Sequence, residues 1–367
     1  MAEKRFTVIG AGHGGKAMAA HLSLMGYPVT LYNRTFLNVS AIASRGGLDL
    51  YGAEDGPRGF AKLERVTSDP AEAAEGDILM VVVPSSAHAD IARLLAPHLR
   101  DEQIIVLHPG RTGGCMEFRQ VLSQCGCQAS VHLAEAETLI YASRSEGPAQ
   151  ARLFSIKQTV PLAALPASDT RHVLEALAAP YPQFIDGTSV LHTGLNNMGA
   201  IFHPALTLLN AGRIESTRGE FQFYLEGVTP STARVLEELD RERVTVAAAI
   251  GIRARTALEW LKMAYDASGE SLYATIQNQP GYRGIKAPST LNHRYVFEDI
   301  PMSLVPIAAL GQRYGVSVQC IDAIIRLACT IHQTDYWRRG RTLDKLGIEQ
   351  LSVAELTRYA MEGTNGL

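Results

Sequence analysis

The chain has 367 residues, 46% of them hydrophobic and 19% charged, with a formal net charge of −3. This is globular composition with apolar material for more than one core, and at about 150 residues per domain it predicts two domains. The near-balanced charge, without a long Lys/Arg run, argues against a nucleic-acid partner, and no apolar run reaches the roughly 18 residues of a membrane span.

Cys115, Cys125, Cys127, Cys320 and Cys329 are odd in number and scattered, which reads as reduced thiols and not as a disulfide framework. The opening "MAEKRFTVIG" lacks the apolar core of a signal peptide, so a cytoplasmic protein is expected. Cys125 and Cys127 have no second pair nearby, and no metal is predicted.

In chain order, "RFTVIG" reads as a short buried strand and "GAGHGGKAMAAHLSLMGY" as a helix stopped by Gly26. "PVTLY" is a second strand. The region around "RGGLDLYGAEDGPRG" reads as irregular. "GDILMVVVPS" is then a buried strand, "HADIARLLAPHL" a helix and "QIIVLHPG" another strand. This βαβ alternation predicts an α/β Rossmann-type doubly wound sheet.

Gly10, Gly12 and Gly15 form G-x-G-x-x-G between the first strand and its helix, the context in which the motif binds a dinucleotide. Gly10 would permit the turn, Gly12 the approach of a pyrophosphate and Gly15 close helix packing, with His13 and Gly14 at the anion-facing helix N-terminus. At the end of the second strand stand Asn33, Arg34 and Thr35. An acid there would accept from a ribose 2′-OH and repel a 2′-phosphate, whereas Arg34 offers a donor fork suited to phosphate. NADP(H) is therefore favoured over NAD(H), the alternative being a solvated surface arginine. Two further loops at strand carboxyl ends, "VVVPSSAH" with Val83 and Pro84, and "HPGRTGG" with Pro109 and Arg111, are expected near the cofactor.

After "QFIDGTSVLHTG" strand-like alternation stops, which divides the chain into a dinucleotide-binding domain, 1–185, and an all-α substrate domain, 186–367. Leu195, Met198, Phe202, Leu206 and Leu209 predict the core stripe of an amphipathic helix, with Asn196, Gly199, His203 and Asn210 beside it. Pro204 breaks the local helix rules and should push His203 away from α geometry. His203 is either a satisfied core histidine or an acid/base. In "HRYVFEDIPMSLVPIAALGQRYGV", Arg294, Glu298 and Asp299 precede a helix expected to begin between Asp299 and Ser303 and to end at Gly315. Asp299 is either a helix cap or an acid that orients a histidine, and Arg294 could hold a carboxylate.

These segments together resemble the opine dehydrogenase family, which includes octopine and nopaline dehydrogenases, and most of all its bacterial N-(1-carboxyethyl)norvaline type. "HPGRTGGCMEFR", "LHTGLNNMGAIFHPALTLLNAG", "FQFYLEGVTPS", "GYRGIKAP" and "NHRYVFEDIPMSLVPIAALG" carry the resemblance over almost the whole chain. It implies a two-domain enzyme that joins the amine of an amino acid to an α-keto acid and reduces the imine with NAD(P)H. It further implies His203 as the catalytic histidine, Asp299 as its partner and Arg294 as the carboxylate-binding arginine; Asn197, beside this helix, is expected as a second substrate contact. The norvaline type tends to carry an acid where this chain has Asn33-Arg34, so its NAD preference is not carried over. Gly199 stands where those relatives have an Asn, so the amine pocket is expected to differ. The competing readings are an NADP-dependent keto-acid or hydroxy-acid reductase needing no amine, and a non-catalytic NADP-binding sensor. The apolar C-terminal helices "VQCIDAIIRLACTIH" and "LSVAELTRYAMEG" would serve a homodimer or an intrachain core equally well.

Overall fold

The computed structural model describes residues 4–52 and 56–363. Its contacts divide the chain into one unit of residues 1–193 with 358–367, and a second of residues 194–357. The sequence expectation divides it at 185/186 and leaves the C-terminus with the helices. The end of the last helix, Val353–Glu362, joins the first unit because Arg119 lies over the Tyr359 ring and donates to the Gly363 carbonyl at 2.9 Å.

In the first unit, strands β1 (Phe6–Ile9), β2 (Val29–Tyr32), β3 (Gly47–Gly52), β4 (Gly59–Lys62), β5 (Arg65–Thr67), β6 (Ile78–Val81), β7 (Ile104–Leu107), β8 (His132–Ala136), β9 (Tyr141–Gly147), β10 (Gln150–Ile156), β11 (Val160–Leu165) and β12 (Phe184–Asp186) form two sheets. The larger runs β12-β11-β8-β7-β6-β1-β2-β5. Its neighbours are parallel except β11 with β8, and Phe6 faces both Val29 and Ile78. β1, β2, β6 and β7 are buried at every position, as continuous apolar runs covered on both faces require. The order reverses at β1, with β2 on one side and β6 on the other, and this is where an open α/β sheet forms its ligand crevice.

The region expected to be irregular instead supplies β3 and β4 of a second sheet, ordered β4-β3-β10-β9; its residues 53–55 lie outside the described ones. Leu48 and Leu50 alternate with Asp49 and Tyr51, and both leucines are buried. A Cβ on Gly47 would stand 2.1 Å from the Ala61 carbonyl oxygen, so this glycine serves close strand approach and not a loop.

The described elements of the second unit are helical. Arg243, fully buried on the helix Pro230–Ala249, pairs with Asp240 and donates to the carbonyls of Leu195 and Arg255. The expected single helix from Leu195 to Leu209 is broken: Val190–Leu195 ends where Asn196 turns its side-chain oxygen to the Arg255 N–H, and a new helix runs Gly199–Leu209. Leu195, Met198, Phe202 and Leu206 are buried as expected, but Leu209, in the last turn, is 42% exposed. The expectation for Pro204 is also corrected, since His203 stays helical and the helix continues through the proline. Thr207 Oγ1 donates to the His203 carbonyl at 2.7 Å. Among the described residues no helix is long and apolar enough to cross a membrane.

Candidate active site

Gly10, Asn33, Arg34, Thr35, Val83 and Pro84 line one cavity at the carboxyl ends of β1, β2 and β6. Its other wall comes from Ala87, Ile91 and Leu94, which the sequence reading missed although their i, i+4, i+7 spacing marks one helix face. Asn33 has a structural part in the loop: Oδ1 accepts from the Ala11 N–H at 3.3 Å and Nδ2 donates to the Thr35 carbonyl at 2.9 Å. An aspartate could do the first but not the second. Asp90, also on the lining, is engaged by Arg93 at 2.9 Å. Arg34 is exposed and has no ion-pair partner among the described residues.

The remaining glycines differ sharply in what surrounds them. A Cβ on Gly15 would lie 1.7 Å from the Gly10 carbonyl oxygen, and one on Gly14 2.8 Å from Leu139, whereas one on Gly12 would meet nothing within 4 Å. Gly12 caps the helix His13–Leu24 without any side-chain bond, so open space stands before its first N–H groups. The residues present fit a dinucleotide pyrophosphate there. His13 and Pro109 lie outside the cavity lining. His13 Nδ1 accepts from the Ser145 N–H at 2.9 Å, which ties the ring to β9. Pro109 belongs to a loop wrapped over Glu135, a fully buried acid that accepts from the Cys115 N–H at 2.8 Å and Thr193 Oγ1 at 2.7 Å. A Cβ on Gly110 would come within 2.4 Å of that carboxyl group. Nearby His108 is fully buried, and burial pushes its imidazole down to about 3.

In the second unit His203 Nδ1 lies 2.8 Å from Asp299 Oδ2, joining residues 96 positions apart. Asp299 is fully buried while the His203 side chain is 22% exposed, so the pair presents its imidazole outward. The Asp299 side chain makes no capping bond, and the helix after it opens as a π turn, Ile300–Leu304, before the α-helix Val305–Arg313. Such wide turns recur at functional positions. Tyr295 stacks on the His203 ring with centroids 4.0 Å apart and 15° between planes, and Phe223 covers the Tyr295 ring in turn. His293 meets the edge of Tyr295; burial first, then Arg294 and His203, hold its imidazole below the usual range.

Arg294 starts the single-turn helix Arg294–Phe297, and its Nε and Nη2 both reach Glu298 Oε2 at 2.9 Å. Asn197, expected as a substrate contact, is buried and donates to Ser303 Oγ at 2.8 Å, linking the approach to the histidine helix with the π turn. Sequence alone gives Glu298 no role and does not single out Tyr295. Among the described residues no group of three or more His, Cys, Asp or Glu is arranged to hold a metal ion.

Two family models match the chain: the α-helical domain of NAD/NADP octopine/nopaline dehydrogenase over residues 187–332, and the NAD-binding domain of 6-phosphogluconate dehydrogenase over residues 5–110. An opine dehydrogenase of Arthrobacter sp. (strain 1C) is 39% identical over 360 residues, covering 98% of this chain and 99% of the relative. Among solved structures, an octopine dehydrogenase with NADH and L-arginine matches with a TM-score of 0.82 at 20% identity, covering 96% of this chain and 98% of that one. A yersinopine dehydrogenase with NADP+ bound matches with a TM-score of 0.77 at 15% identity, covering 98% of each.

Proposed function

The chain belongs to the opine dehydrogenase family, and from that premise we propose which of its residues carry the reaction and which cofactor form it prefers. The enzyme is an NAD(P)-dependent oxidoreductase acting on CH–NH donors: it condenses an amino acid with an α-keto acid and reduces the imine to an N-(carboxyalkyl) amino acid. A nicotinamide dinucleotide held at the cavity lined by Gly10, Asn33, Arg34 and Val83 would supply the hydride for imine reduction.

Two steps ask something of the protein. The amine adds to the keto carbon to give a carbinolamine, whose hydroxyl must leave as water and needs a proton. His203 supplies it. Asp299 can only accept, so Nδ1 carries a hydrogen toward it and Nε2 is the atom that gives and takes the proton. The buried carboxylate compensates the imidazolium charge, and the Tyr295 stack holds the ring plane. The keto acid must also present one face to the hydride, which a guanidinium gripping its carboxylate ensures. Arg294 has that part, while Asn197 supports the site through Ser303. The observation that carries this reading is the His203–Asp299 pair itself.

We assign the cofactor preference to NADPH. Arg34 lines the cavity and has no ion-pair partner among the described residues, and Asn33 shapes the loop that presents it. A 2′-phosphate would meet a guanidinium there and no carboxylate at the end of β2.

The test is oxidation of NADPH by the purified protein with pyruvate, with and without a mixture of L-amino acids, repeated with NADH. Turnover should require the amine and run faster with NADPH. Equal turnover without amine would point to a plain keto-acid reductase, and a preference for NADH would remove Arg34 from cofactor selection.

A further inference from the structure

Glu298 and Asp299 are consecutive, both fully buried, and each holds one of the two polar groups of the site: Arg294 on Glu298, His203 on Asp299. Their backbone explains the division. Glu298 lies four residues after Arg294 and so shares its helix face, while Asp299, one residue further and about 100° round a helical axis, turns to the histidine helix. The Arg294 side chain is 48% exposed and its partner 0%, so the acid is rooted in the core and the cation faces outward.

We propose that Glu298 is a positioning residue for the keto-acid carboxylate, acting through Arg294; this rests on the reading of Arg294 as the carboxylate clamp. A guanidinium can meet a carboxylate side-on, through Nε and one terminal nitrogen, or end-on, through the two terminal nitrogens. Glu298 Oε2 accepts from Nε at 2.9 Å and lies 2.9 Å from Nη2 in the ion pair, and so takes the side-on edge. The substrate carboxylate is then met end-on, by Nη1 with the second hydrogen of Nη2. Holding one edge of the fork stops rotation of a long side chain that would otherwise sample many rotamers, and the clamp is formed before substrate arrives.

Positioning makes a prediction opposite to simple electrostatics. A buried carboxylate beside Arg294 lowers the net positive field on the substrate, so neutralising it would tighten keto-acid binding if charge alone counted. If geometry dominates, Glu298→Gln weakens it.

The experiment measures KM for keto acid and amino acid, and the pH profile of kcat, in Glu298→Gln, Glu298→Asp and Arg294→Ala. Glu298→Gln should raise the keto-acid KM about tenfold, with the amino-acid KM and the pH profile kept, as expected when one oriented ionic contact is lost. Glu298→Asp, which keeps the charge but falls one methylene short, should raise it as well. In Arg294→Ala the empty place beside Glu298 should accept guanidinium, so millimolar guanidinium chloride, but not sodium chloride, should lower the raised keto-acid KM; this arm stands even if Glu298→Gln does not fold. An unchanged or lower keto-acid KM in Glu298→Gln, or no rescue by guanidinium, overturns the inference. An unchanged keto-acid KM in Arg294→Ala is a different failure, that of the clamp reading.

Discussion

At the head of the helix His13–Leu24 the groups offered to a ligand belong to the backbone, and space is made by leaving side chains out: Gly12 faces nothing within 4 Å while Gly15 touches Gly10. In the helical unit the groups we propose to be offered are side chains, His203 and Arg294, each fastened to a carboxylate with no exposure of its own. On the proposed reading, the first arrangement would recognise what all dinucleotides share, through N–H groups that any sequence possesses, and selectivity would be added by a neighbour such as Arg34. The second needs particular chemical groups at particular atoms, and it depends on a shell beneath the surface that fixes them. The two should therefore fail differently when altered.

The largest effect is expected at His203. His203→Ala should cost roughly 100-fold or more in turnover, as is usual for a general acid, while dinucleotide binding measured by fluorescence titration stays intact. Near-wild-type turnover would remove His203 from the mechanism. Gly15→Ala should come next. Its Cβ meets a backbone oxygen that cannot yield cheaply, so a loss of about 1 to 3 kcal/mol in stability is expected, read as a lowered denaturant midpoint. Arg34→Ala should leave stability alone and reduce the preference for NADPH over NADH by about tenfold, the order expected for a charge-assisted hydrogen bond. An unchanged ratio of the two kcat/KM values would show that Arg34 is only a surface residue. Gly12→Ala should have the smallest effect, a few-fold weaker dinucleotide binding at an unchanged denaturant midpoint, because its Cβ would clash with ligand and not with protein. If Gly12→Ala destabilised the fold as much as Gly15→Ala, the contrast between an open and a closed glycine would collapse.

Much of the sheet unit could be read along the chain, because its signals are local. Apolar runs such as Ile78–Val81, a glycine fingerprint between strand and helix, and Asn33-Arg34 at a strand end all act within a few residues of one another. The second sheet is not legible along the chain because Gly47 looks like a loop residue when viewed alone and becomes a strand residue only against Ala61. The periodicity through Leu195 predicts too long a helix because the break at Asn196 is sealed by an N–H from Arg255, 59 positions away.

From its own residues the sequence determined the alternating sheet, the glycine turn and the charge beside it, and it singled out His203, Arg294 and Asp299 as unusual. It left open whether His203 was a core histidine and whether Asp299 was a cap. Only the tertiary structure decided that these residues meet, setting Nδ1 of one 2.8 Å from Oδ2 of the other and seating Arg294 on Glu298. The reason is physical: periodicity records which face of an element is buried, but a hydrogen bond between two helices depends on how they pack, which no local pattern encodes.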